Sequence, residues 1–310
     1  MYTGIDIGGT KCAVINADKD GHITDKIKFP TTSVEETIKN IMDGIRKIGC
    51  KKYVGISCGG PVDSKKGVIM SPPNLPGWDN IPITEMVEKE FGVSAVLQND
   101  ANACALAEWK YGAGKGTQNM IFLTFGTGMG AGLILDGKIY NGTNDMAGEV
   151  GHIRISDFGP VGYGKAGSFE GFCSGAGIAR IGKTIATEKL QQGKSVGFCQ
   201  TYEELESVTA KSIADAAHNG DKDAIKVYDL CAEKLGMGIS VLIDILNPER
   251  IVIGSVFERS GDLLMKKMRE VVDRETLSLS NSVCSIVPAK LGDSIGDIAA
   301  ISVAHLAENK

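Results

Sequence analysis

Several short stretches of this sequence bring carboxylates, hydroxyls and glycines together in patterns suited to holding a polyphosphate. Asp6 ends an apolar run just before Gly8, Gly9, Thr10 and Lys11, so one small turn offers a carboxylate, backbone amides, a hydroxyl and an ammonium. These are the groups that hold phosphate oxygens and Mg²⁺. The same residues would equally serve an ordinary hairpin, with Gly8 and Gly9 at positive φ and Asp6 capping the turn. A second glycine turn, TFGTGMGAG, supplies Thr124 and Thr127 as hydroxyls and lets the backbone approach an anion at Gly126 and Gly128. A glycine pair after a strand is also a dinucleotide fingerprint, but that motif needs a helix next. Here AGLILDGKI follows and reads as a strand.

Asn99 and Asp100 follow the apolar run SAVLQ and precede a helical stretch. That is the C-terminal end of a strand, where ligands of α/β sheets bind, although capping the next helix is the commoner local use of both residue types. Glu149 and His152 lie close together in AGEVGH, and Glu170 follows another glycine-rich stretch. Convergent acceptors of this kind suit sugar hydroxyls. Taken singly, each is more often a solvated or structural side chain.

The elements that must position these residues follow from apolar periodicity. Short strands are expected at 2–7, 11–16 and 23–29, then a helix over about 33–48 with Val34, Ile38, Ile41 and Ile45 at helical spacing. Strand YVGIS, a helix near 83–91, strand SAVLQ and a helix from Ala101 to Tyr111 continue the alternation, which defines an α/β class. The two apolar runs around the second glycine turn repeat the first hairpin and indicate an internal duplication. Helices near 175–192, 210–218 and 221–246, strand RIVIGS, a helix over 260–273, strand SVCSIVPA and a final helix complete the chain.

The length of 310 residues is a prior for two domains. No Pro-rich or Ser/Gly linker marks the boundary. The expected division is a smaller domain over 1–115 and a larger one over 116–294, with a C-terminal helix over about 295–310 packing back on the first. A net charge of −5, with no cluster of Arg or Lys among aromatics, argues against nucleic acid as a partner. The N-terminus lacks the pattern of a signal peptide and no apolar run is long enough for a membrane span, so a cytoplasmic location is expected. The eight cysteines are scattered, mostly in apolar segments without metal spacing, and read as buried free thiols.

Taken together, DIGGTK at 6–11, GGPVD at 59–63, NLPGW at 74–78, NDANACALAE at 99–108, GTGMGAGL at 126–133 and AGEVGH at 147–152 resemble the ROK family of repressors, open reading frames and kinases. The motifs span essentially the whole chain in the family's order. The resemblance implies an α/β, actin-like ATPase (ribonuclease H-like) two-domain fold with an interdomain cleft, and a homodimer. Repressor members carry a helix-turn-helix ahead of the core, whereas Asp6 here stands at the very start, so the kinase branch is expected. By resemblance, Asp100 is the general base, and Asn99, Asp100, Glu149, His152 and Glu170 bind the sugar. ATP and Mg²⁺ are the implied cofactors. Asp6 would hold Mg²⁺ through water, Thr10, Lys11, Thr127 and Gly128 would line the phosphate path, and Gly254 with Ser255 would approach ribose and adenine.

Two departures from the family pattern stand out. Many members follow the GH motif with GxxCxCGxxGCxE, whose cysteines bind zinc with the histidine; this chain has GPVGYGKAGSFE. Gly162 and Gly164 replace two cysteines and Ser168 falls near the third, so no zinc is expected. In addition, Asp297 stands where a small residue is usual. The expected activity is ATP-dependent phosphorylation of a free hexose at its 6-hydroxyl, with glucose first. N-acetylmannosamine, N-acetylglucosamine, allose and fructose are the other sugars to consider. The alternatives are a non-catalytic sugar sensor and a purely structural relative.

Overall fold

A computed structural model describes residues 1–309 of the chain. Strands β1 (Tyr2–Ile7), β2 (Lys11–Ala17) and β3 (Ile23–Pro30) form an antiparallel meander, and helix α1 (Val34–Ile48) leads to β4 (Tyr53–Cys58), parallel to β1. After the short pair β5 (Val62–Asp63) and β6 (Val68–Ile69), helix α2 (Ile83–Phe91) runs into β7 (Ser94–Asn99), parallel to β4, and α3 (Asp100–Tyr111) follows at once. Ser33 caps α1, its hydroxyl accepting from Glu36 N–H.

The chain then forms β8 (Met120–Phe125), β9 (Met129–Leu135) and β10 (Lys138–Ile139), followed by a small hairpin of β11 (Val161–Gly162) and β12 (Lys165–Ala166). Helices α4 (Phe169–Phe172), α5 (Gly175–Gln191), α6 (Ala210–His218) and α7 (Lys222–Leu246) come next. Strand β13 (Arg250–Ile253), α8 (Val256–Glu275), α9 (Ser278–Val283), β14 (Ser285–Pro288) and α10 (Ile295–Ala304) complete it. The expected C-terminal helix thus divides into α10 and a 3-10 stretch from His305, and Lys310 lies outside the described residues.

Strand order is β3-β2-β1-β4-β7 in one five-stranded sheet and β10-β9-β8-β13-β14 in the other. Each reads third, second and first strand of a meander, then two later strands, so the duplication expected from the two glycine turns is present in the topology. The chain divides into two compact units, one of Met1–Phe122, Gly132–Gly148 and the segment from Lys290, the other of Leu123–Ala131 and Glu149–Ala289.

In the first unit, alternation along β1 decides which residues meet which layer. Ile5 and Ile7 join Val14, Ile41, Ile45, Ile56, Val87 and Leu97 in a buried core. Tyr2, with Ala13 and Ile15 of β2, turns to the other face and packs on Ile301 and Ala304 of α10. Each large aliphatic buried in this way contributes about 1.5–3 kcal/mol of transfer free energy. Asp6 shares the α10 face, which is why an apolar strand can end in a carboxylate. In the second unit the long α7 packs along α8, and Phe169 is buried against Gly238 of α7. Among the described residues no helix is long and apolar enough to cross a membrane.

Two sequence expectations change. Gly8 and Gly9 do not adopt positive φ. Gly9 is required for close approach instead, since a Cβ there would lie 2.5 Å from the Asn74 carbonyl oxygen. The stretch SVCSIVPA is only half strand: Ser282 and Val283 end α9, because β13 offers just four residues to pair with β14.

Candidate active site

In the first unit, Asp6 ends β1 beside an exposed turn in which Gly8 N–H donates to Lys11 O (3.1 Å) and Thr31 Oγ1 donates to Gly8 O (2.6 Å). Thr10 and Lys11 are exposed at the tip. The Asp6 carboxylate receives no hydrogen bond from the described protein. Burial, and then the negative charges of Asp297 and Asp100, raise its pKa to about 6, against the pull of Lys11 and Lys26.

Asn99 and Asp100 occupy the β7–α3 junction. Asn99 is the N-cap: its Oδ1 accepts from Asn102 N–H at 2.8 Å, and its amide nitrogen takes no part in that cap. Asp100 is the first helical residue, and one carboxylate oxygen accepts from Ala101 N–H at 2.9 Å. Its residue surface is open to solvent while protein crowds the carboxyl, and that desolvation raises its pKa, with the Ala101 hydrogen bond opposing. A helix cap and an exposed acidic residue therefore stand side by side at one junction.

Two contacts absent from the sequence reading hold α3 in place. The buried Glu108 carboxylate accepts from Ala113 N–H (2.6 Å) and from Lys290 and Leu291 N–H (both 2.9 Å), fastening the end of α3 to the segment before α10. Near the start of α3, Asn102 Nδ2 donates to Asn141 Oδ1 at 3.0 Å, and Ser64 donates both its N–H and its hydroxyl to the buried Asp145. A carboxylate in an apolar helix was the only sequence sign of this role.

In the second unit, the β8–β9 turn exposes Thr127, whereas Thr124 Oγ1 is used internally, accepting from Gly130 N–H at 2.8 Å. Glu170, in the first turn of α4, reaches this turn and accepts from Met129 N–H at 3.0 Å. A Cβ at Gly128 would lie 2.6 Å from Glu170 Oε2, so a side chain there would displace the Glu170 carboxylate. Gly254 N–H donates to Leu123 O at 3.0 Å. Ser255 has φ +56° and ψ −106°, a strained conformation for a non-glycine residue, and caps α8 in a reciprocal arrangement with Glu258. A Cβ built on Gly126 would lie 3.7 Å from Ser255 Oγ.

Ser174 and Gly175 were missed. Gly175 N–H donates to Gly126 O at 2.7 Å, and Ser174 caps α5 through Gly177 N–H at 2.9 Å. The N-termini of α5 and α8 thus both border the second glycine turn, with the positive ends of their dipoles toward it. The run SGAG before a helical pattern was the available signal.

Glu149 and His152 flank a one-turn 3-10 helix, Val150–His152, with His152 N–H donating to Glu149 O at 3.2 Å. Both are exposed. The β11–β12 hairpin supports this turn: Lys165 Nζ donates to His152 O at 2.7 Å, and the Tyr163 ring meets the imidazole edge-on with centroids 6.5 Å apart. Tyr163 and Gly164, at φ +43° and +75°, form a two-residue turn of the kind that suits a hairpin. Gly162 has no room for a side chain, since its Cβ would meet Gly171 N at 2.5 Å and Ser168 Oγ at 2.7 Å. Cys173 Sγ is turned to Cys231 O. Among the described residues no three His, Cys, Asp or Glu are arranged to hold a metal ion, so the loop does not fit zinc.

The ROK family sequence model matches residues 2–307. The glucokinase of Halalkalibacterium halodurans is 34% identical over 311 residues, covering 96% of this chain and 92% of its own. A ROK glucokinase from Streptomyces griseus, solved with glucose and AMPPNP, has a TM-score of 0.76 at 29% identity, covering 100% of this chain and 99% of its own. A ROK transcriptional regulator homologous to the E. coli MLC protein shares the fold with a TM-score of 0.85 at 21% identity, over 99% of this chain and 78% of its own. The two-sheet duplication and the glycine turns are those of an ATP-dependent sugar kinase with the actin-like ATPase fold. Within that class, the chain belongs to the ROK family.

Proposed function

We propose that this kinase transfers the γ-phosphoryl group of ATP to the 6-hydroxyl of a free hexose, glucose first among candidates, with Asp100 as general base. The observation that carries the reading is the Asp100 carboxylate at the start of α3, one oxygen fixed by Ala101 N–H and a pKa raised by desolvation. A base of this kind takes the hydroxyl proton as the oxygen attacks the γ-phosphorus and the bond to the β-phosphate oxygen breaks, releasing ADP. Asn99 in the first unit and Glu149, His152 and Glu170 in the second are assigned to the remaining sugar hydroxyls. Thr10, Lys11, Thr127 and Gly128 are assigned to the phosphates, and Gly254, Ser255 and the amides at Ser174–Gly175 to the nucleotide.

The unbonded Asp6 carboxylate fits a hydrated Mg²⁺, which needs one or two carboxylates and keeps several waters. When bound with ATP, Mg²⁺ neutralises charge on the β- and γ-phosphates. Asp6 would hold it through water, while Lys11 offsets further phosphate charge. The glucose assignment draws on the glucokinase relatives.

The test is ADP release with MgATP against glucose, mannose, fructose, allose and the N-acetylhexosamines, with the product's phosphate position read by ³¹P NMR. Glucose 6-phosphate as the best product is expected. Sugar binding without release for every sugar would move the reading to a sensor. A homodimer is proposed from the family resemblance, and a single-chain mass in sedimentation would remove it.

A further inference from the structure

Asp297, the residue that departs from the family's small side chain, sits one turn before the place where α10 meets the first sheet. The helix can come that close because β4 presents Gly55, where a Cβ would stand 2.1 Å from Ala300 O. Strand register identifies what Asp297 faces. Asp6 lies opposite Ala13, which lies opposite Lys28; Gly4 lies opposite Ile15, which lies opposite Lys26. Residues two apart share a face, so Asp6, Lys26 and Lys28 all point to the α10 side, and Lys11 follows from the same alternation.

On that face Asp297 forms an ion pair with Lys26, with side chains only 11% and 24% exposed. Beside Asp297, a Cβ at Gly296 would lie 3.2 Å from Asp6 Oδ2. Three carboxylates, Asp6, Asp100 and Asp297, and three ammonium groups, Lys11, Lys26 and Lys28, thus act on one another electrostatically here. Only Asp6 among the carboxylates makes no hydrogen bond to the described protein. Lys11 and Lys28 are exposed and keep their charge in water, whereas the half-buried Lys26 ammonium, without Asp297, would take the nearest uncompensated carboxylate, because an unpaired buried charge is costly.

We propose that Asp297 is a positioning residue for the phosphate side of the reaction: it holds Lys26 and so withholds that ammonium from Asp6, leaving the Asp6 carboxylate for the hydrated cation. The inference deepens the reading of Asp6 as the Mg²⁺ carboxylate and rests on it. With a small residue at 297, Lys26 would be left to neutralise Asp6. With Asp297 present, the face keeps its negative charge where the cation arrives.

The test uses the full chain and measures AMPPNP affinity by calorimetry with and without Mn²⁺, the gain on adding Mn²⁺ being the readout. Asp297→Asn, which keeps the shape and removes the charge, should reduce that gain roughly three- to tenfold. Lys26→Met should raise it, and the double variant should return to within about twofold of the parent. This opposition of signs is not the signature of lost folding, which thermal melting of each variant checks. An unchanged gain in Asp297→Asn, or equal losses in Asp297→Asn and the double variant, would overturn the proposal. Asp6→Asn separates the two readings: it should abolish the gain, and a full gain in that variant would remove Asp6 from the cation site and the inference with it.

Discussion

The two glycine turns share a place in the duplicated topology but satisfy their own polar groups in opposite ways. In the first, Asp6 ends β1 with a carboxylate that no described hydrogen bond engages. At the equivalent place in the second, Thr124 closes its hydroxyl onto Gly130 N–H within the same hairpin. The first turn carries unsatisfied charge, so it costs stability and is available to a cation. The second is internally satisfied, and what it offers a ligand is backbone, bordered by the N-termini of α5 and α8. Two copies of one hairpin topology thus end in chemically different turns, one charged and one neutral.

The contrast is broken most severely at Asp6. Asp6→Asn should lower kcat by about 100-fold or more, while raising stability at neutral pH. The sign follows from linkage: burial lifts the folded pKa to about 6, above the ordinary carboxylate value. The cost of ionising Asp6 is therefore absent below about pH 4 and complete above about pH 6. In metal-free buffer the parent's melting temperature should fall over that range more than the variant's, by the equivalent of roughly 2–3 kcal/mol. Parallel pH profiles would show that Asp6 is not a charged cost.

In the second turn the vulnerable point is the contact with Glu170. Gly128→Ala places a Cβ where the Glu170 carboxylate lies, so sugar KM should rise about tenfold as Glu170 leaves Met129 N–H. An unchanged KM would detach Glu170 from the sugar. Lys165→Met, which frees the His152 carbonyl, should raise sugar KM about three- to fivefold with kcat little changed, and Lys165→Arg should recover most of it. Zinc chelators should leave the parent's KM unaltered. The smallest effect belongs to Thr124→Val, which should cost about 1 kcal/mol of stability and leave kcat near the parent's.

Much of this division was legible in the sequence. The short apolar runs around both glycine turns gave the hairpins and the duplication, and the strand-then-helix pattern put Asn99 and Asp100 at the β7–α3 junction. What escaped were relations without a local period. Asp297 gains its meaning from Lys26, 271 positions away. Glu108 is explained only by the amides of Lys290 and Leu291, which come together with it by folding. Ser174 and Gly175 resemble any helix start until Gly126 is seen to accept from Gly175. The end of α9 intrudes on an expected strand because pairing partners, not β-propensity, set strand length.

The most direct test of the account is glucose-dependent ADP release by Asp100→Ala, set beside glucose binding to the same protein. Turnover reduced by about 100-fold or more, with the glucose dissociation constant within about threefold of the parent's, is the predicted result for a general base. Turnover retained at the parent's rate would contradict it.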